Sequence, residues 1–287
     1  MMDVDTLYVI SSWRGDYVLD DMLAAIAWSS TRSFFVIVVD LSKQVQQLTA
    51  PGKYQIVHSD LPPETCEGFH RAAGLKWAID TGIAYKQVIM LHDTCLPVTQ
   101  TLDSFFIEQM QPDGLGVLGV HASLNGERAW QDARTQLFQW KVPTEAWERP
   151  PISLCDDFLV LAPRLASLLY LRNLLVPPGC SNWPGTYGSY ISWVCQMLNM
   201  YVVGWGYETK PLPPVYVSHA QGQYLPAPHL FGQRLLVFSP INKIMGYAEG
   251  DIRELYKQQR GERAREIAKL KPVVHGPDQS DIAFTAT

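Results

Sequence analysis

The sequence predicts an α/β protein built on an open, mostly parallel sheet with helices on both faces. Three observations predict it. Short apolar runs rich in branched and aromatic residues alternate with segments of helical spacing through the first 100 residues. Successive runs end in polar residues, and no internal repeat or low-complexity tract interrupts the alternation.

The first unit is a βαβ. TLYVI (6 to 10) and SFFVIVV (33 to 39) read as buried parallel strands, and VLDDMLAAIAWS between them carries helical spacing. YQIVHSD (54 to 60) reads as a third strand. CEGFHRAAGLKWAIDTG (66 to 82) reads as a helix turning Phe69, Ala73, Trp77 and Ile79 inward, and VIML (88 to 91) as a fourth strand. The second half is less regular. GLGVLGVH (114 to 121) is a strand, AWQDARTQLFQWK (129 to 141) a helix, and DDFLVLAPRLASLLYLRNLL a strand, a proline-marked turn and a helix. VPPGCSNWPGTYG (176 to 188) is a loop, and YISWVCQMLNMY (190 to 201) an apolar helix. From Asp251 a segment with Ile252, Leu255, Tyr256, Ile267 and Leu270 in a stripe is crowded by Arg253, Lys257, Arg260, Arg263, Arg265, Lys269 and Lys271. With no clear linker, the expected organisation is one domain over 1–250, with halves at about 1–122 and 123–250. A basic helix and tail follow over 251–287.

Composition bounds the function. The chain has 287 residues, 47% of them hydrophobic, and carries a net charge of −5, which argues against a protein that coats itself with nucleic acid. The N-terminus lacks the basic start and long apolar run of a secretory leader, and no run approaches the roughly 20 apolar residues of a membrane span. Five cysteines, with no CxxC pair, fit buried thiols in a reducing compartment, so a cytoplasmic location is expected.

In open α/β sheets ligands sit at the carboxyl ends of the strands. Asp40 ends the second strand, His58-Ser59-Asp60 the third and His92-Asp93-Thr94 the fourth. Each alone is a common turn former. Together they imply a cleft along one edge. The adjacent carboxylates Asp156 and Asp157 stand at the start of an apolar strand, where close packing would raise one pKa toward the range of a general base.

This order of elements, with HSD, GFHRAAGLKWAID and an apolar strand breaking into three polar residues before Pro97, resembles the nucleotide-sugar glycosyltransferases of the GT-A fold over roughly residues 6 to 222. In that family the fourth strand ends in a DxD motif whose carboxylates hold a divalent cation on the donor diphosphate. His92-Asp93-Thr94 stands in the DxD place with both outer positions changed. The resemblance implies a transferase using a nucleotide-diphosphate sugar, with a uridine nucleotide favoured. Ser11, Asp40, Asp60, Arg71, Lys76, His92, Asp93 and Thr94 would contact the donor. Asp93, His92 and His219 of the late Val217-Ser218-His219 strand would hold Mn²⁺ or Mg²⁺, and Asp156 or Asp157 would act as base. A metal-independent version, with His92 or a Lys or Arg neutralising the diphosphate, is the other possibility. The acceptor stays open between a glycan and nucleic acid, such as a hydroxylated base in DNA, and the oligomeric state is not fixed by the sequence. Two further readings compete: a binding module that kept the fold and lost the chemistry, and a sugar-phosphate nucleotidyltransferase. The second is disfavoured because ISSWRGDY offers only Gly15 where a Gly-rich phosphate loop belongs.

Overall fold

The computed structural model describes residues 2–12, 16–43, 48, 53–93, 96–97, 102–109, 115–122, 127–142, 153–198, 200–205, 216–218, 224–226 and 237–238. Its strands are β1 (Met2–Ser12), β2 (Phe34–Asp40), β3 (Tyr54–Val57), β4 (Ile83–His92), β5 (Leu96–Pro97), β6 (Leu115–Ala122), β7 (Ser153–Leu161), β8 (Tyr201–Trp205), β9 (Tyr216–Ser218), β10 (Tyr224–Pro226) and β11 (Val237–Phe238). The helices are α1 (Asp16–Ser29), α2 (Glu67–Asp80), α3 (Leu102–Gln109), α4 (Glu127–Gln139), α5 (Pro163–Leu171) and α6 (Tyr187–Met197).

Nine strands form one sheet in the order β10-β9-β8-β6-β7-β4-β1-β2-β3, and β5 pairs with β11 apart from it. β1, β2, β3 and β4 run parallel to one another, and β7 is antiparallel to both β4 and β6. The single sheet therefore spans both halves of the expected domain. The basic segment 251–287 lies outside the described residues.

Strand alternation sorts the core into two layers. Leu7, Val9, Ile37, Val39, Val88 and Met90 face Phe69, Ala72, Leu75 and Ala78 of α2 together with α5 and α6. Tyr8, Ile10, Val36, Val38, Ile89 and Leu91 face Leu19, Met22, Leu23 and Ile26 of α1 and Phe106 of α3. Helices thus cover both faces, as the sequence predicts.

Several expectations are corrected in detail. The inward stripe of α2 is Phe69, Ala72, Leu75 and Ala78, with Arg71 buried beside it, while Ala73, Trp77 and Ile79 are only half-buried. β4 begins at Ile83, five residues before the apolar run, because its first residues pair with β1 while alternating half-buried and exposed. Trp183, Tyr187 and Tyr190 belong to the core. Tyr187 and Tyr190 lie 4.9 and 5.4 Å from the ring of Phe69, and Trp183 stacks on Trp140 at 5.4 Å.

Candidate functional site

Register brings the strand ends together. Ser11 of β1 pairs with His92 of β4, and Ser12 pairs with Asp40 of β2, so three adjacent parallel strands end side by side in hydroxyl, imidazole and carboxylate groups. The alternation that turns Val9 and Met90 toward α2 turns Ser11 and His92 the same way. α2 starts at this edge, since it follows β3 and returns the chain to the start of β4. Its first turn carries Glu67.

Glu67 was not among the residues expected at the site, yet it is central to the cluster. Its Oε2 lies 2.6 Å from His92 Nε2, accepts from Ser11 Oγ at 3.3 Å and stands 3.9 Å from Arg71 Nη1. His92 Nδ1 lies 3.0 Å from Asp93 Oδ1, and Asp93 Oδ2 accepts from Ser12 Oγ at 2.9 Å. The imidazole is therefore held between two carboxylates. Burial works against its charged form, but the hydrogen bonds and negative charges of Asp93 and Glu67 outweigh it and push its pKa up to about 10. For Glu67 burial would raise the pKa, and the hydrogen bond and charge of His92, with Arg71 and Ser11 adding, bring it down to about 2. The cluster is not sealed: the His92 and Glu67 side chains keep 19% and 27% of their exposure.

Arg71 is fully buried and works inward. Its Nη1 donates to Ser11 Oγ at 2.8 Å and its Nη2 to the Asp156 carbonyl at 2.6 Å, so it ties β1, α2 and β7 together. Lys76 lies elsewhere. At 1.5 Å per residue it is about 13 Å further along α2 than Glu67, and it pairs there with Asp80 at 2.6 Å, largely exposed. Asp40 is buried and accepts from the Ser42 amide and hydroxyl at 2.9 and 2.6 Å, while Asp60 is exposed in the loop after β3. Thr94 and His219 lie outside the described residues.

The carboxylate pair resolves into two different situations. Asp156 Oδ1 accepts the Gly188 amide in the first turn of α6 at 2.6 Å, and Oδ2 accepts the Cys66 thiol at 2.7 Å. Burial and the adjacent Asp156 charge push that thiol well above its usual pKa, so it stays protonated and donates. Asp156 thus fastens the starts of α2 and α6 to β7. The side chain of Asp157 is not among the described ones.

The described residues do not fit the metal site that the resemblance implies. No group of three or more His, Cys, Asp or Glu side chains among them is arranged to hold a metal ion. Each ring nitrogen of His92 is turned to a carboxylate, Nε2 to Glu67 and Nδ1 to Asp93, and not to an open position.

No family model matches the chain, and no curated protein matches it. Among solved structures it is similar in part to a mannosyltransferase from Pyrobaculum calidifontis, in complex with GDP-Man and Mn²⁺, at 10% identity and a TM-score of 0.36. The match covers 59% of this chain and 47% of that one, so the likeness spans about half of that enzyme's length. Among the described residues no helix is long and apolar enough to cross a membrane.

Proposed function

We propose that the protein is a glycosyltransferase that binds a nucleotide-diphosphate sugar, a uridine nucleotide first, along the carboxyl ends of β1, β2 and β4. The observation that carries this reading is the register pairing of Ser11 with His92 and of Ser12 with Asp40, which gathers polar groups at one edge of an otherwise apolar parallel sheet. On this reading Asp60, exposed in the loop after β3, accepts from the base or ribose, the buried Asp40 holds the turn after β2 through Ser42, and His92 with Asp93 faces the diphosphate.

In the transfer an acceptor hydroxyl oxygen attacks the anomeric carbon, and the bond from that carbon to the diphosphate oxygen breaks. The nucleoside diphosphate leaves with the bonding pair, and the hydroxyl proton passes to a carboxylate. Asp156 has both oxygens engaged in holding helix starts. Asp157 is therefore the member of the pair to test as base. The acceptor is a glycan or a hydroxylated base in DNA, the latter served by the basic segment around Lys257, Arg260 and Arg263.

One observation favours a second reading. His92 and Asp93 are already engaged, with each other and with Glu67, as expected of a module that binds a nucleotide without transferring from it. Incubating the purified chain with UDP-sugars and following release of UDP distinguishes the two. Release, increased by the right acceptor, supports the transferase, and tight binding without release supports the module.

A further inference from the structure

We propose that the Glu67 and Asp93 carboxylates take no divalent cation, so that a donor at this edge, on the nucleotide-sugar reading above, is bound metal-free. Elsewhere a pair of carboxylates at such a strand end is a reason to expect Mg²⁺ or Mn²⁺, which are hard cations that seek oxygen ligands. Here the place between the two carboxylates is filled by the chain itself. His92 Nε2 is 2.6 Å from Glu67 Oε2 and His92 Nδ1 is 3.0 Å from Asp93 Oδ1. At each ring nitrogen the imidazole is the group that meets the carboxylate, so a cation entering there would have to displace it.

The remaining contacts close the arrangement. Asp93 Oδ2 accepts from Ser12 at 2.9 Å, and Glu67 Oε2 also meets Ser11 at 3.3 Å and Arg71 at 3.9 Å. A divalent cation would have to displace His92 from both carboxylates and Ser12 from Asp93, with the Arg71 guanidinium already beside Glu67.

The experiment uses the full chain, freed of metal by chelation, in two arms. In the first, Mn²⁺ is titrated into the protein alone and free Mn²⁺ is followed by electron paramagnetic resonance. Wild type and Asp93→Asn are expected to leave the Mn²⁺ signal equally undiminished. Mn²⁺ uptake by wild type that is lost in Asp93→Asn overturns the proposal, whatever the protein does with nucleotides.

In the second arm, UDP and GDP are titrated calorimetrically with EDTA and again with Mn²⁺. The same affinity in both supports the proposal, and affinity that appears only with Mn²⁺ overturns it while upholding the nucleotide site. If neither nucleotide binds in either buffer and the Mn²⁺ signal is undiminished, the cation-free carboxylate pair stands and the glycosyltransferase reading falls.

Discussion

Glu67 Oε2 and His92 Nε2 stand 2.6 Å apart across the interface between the first turn of α2 and the last residue of β4. The contact joins a helix start and a strand end that are 25 positions apart in the chain. It has consequences for pH dependence, because each partner holds the other in its charged form.

His92 is raised from 6.5 to about 10, so its contribution to stability is fully present below pH 6.5 and is lost as pH rises toward 10. Glu67 is lowered from 4.5 to about 2, so its contribution is fully present above pH 4.5 and is lost as pH falls toward 2. The Glu67→Gln variant should therefore melt below wild type by most between pH 4.5 and 6.5, and the gap should narrow toward pH 10. In the same variant the His92 ring resonances should titrate at lower pH than in wild type. An unshifted His92 titration would separate the two residues.

Arg71→Met tests the inward role of the guanidinium. The change leaves Ser11 Oγ and the Asp156 carbonyl without their donor and removes the cation beside Glu67. Breaking a buried charged network by removing one partner costs about 3–5 kcal/mol, to be read from urea unfolding. A loss below about 1 kcal/mol, the range of an exposed pair, would mean that the guanidinium reaches water.

Gly68→Ala probes the contact of α2 with α6. A Cβ at residue 68 would overlap the Cβ of Tyr187 and come within 3.0 Å of Asp156 Oδ2. Because the obstacle is a side-chain root and not a flexible end, the helices must separate, at a cost near the upper end of the roughly 1–3 kcal/mol of overpacked cores. The midpoint of chemical unfolding measures it.

The large features of this fold are legible in the sequence because they depend on local hydrophobic pattern. The runs around Val9, Ile37 and Met90 became adjacent parallel strands, and the polar residues closing them converged at one edge. What the pattern did not disclose depends on partners distant in sequence. Glu67 reads as an ordinary acidic residue in a helix first turn, favoured there by the helix dipole. Its signal was positional: a helix following the third strand must begin at the edge where His92 ends the fourth. Arg71 reads as a cation for the donor's phosphate, and its burial follows from acceptors distant in sequence, Ser11 and the Asp156 carbonyl. Asp156 and Asp157 look equivalent as a dipeptide, and the Gly188 amide and Cys66 thiol reveal what one of them does.

Asp93→Asn and Asp157→Asn divide the proposed chemistry. Asp93→Asn should lower transfer roughly 100-fold or more through lost electrostatic organisation around the leaving diphosphate. Asp157→Asn should lower kcat by about 10² to 10⁴ while donor affinity persists. Steady-state kinetics with a donor–acceptor pair read both, and full activity in Asp157→Asn would move the base elsewhere.

Binding of a nucleoside diphosphate where β1, β2 and β4 end is read by hydrogen exchange followed by mass spectrometry with and without UDP or GDP. Slowed exchange is expected in peptides holding Ser11 and Ser12, Asp40 to Ser42, and His92 and Asp93, with little change at the opposite edge around Thr31 and Asp80. Protection confined to that opposite edge, or none from either nucleotide at saturating concentration, would contradict it.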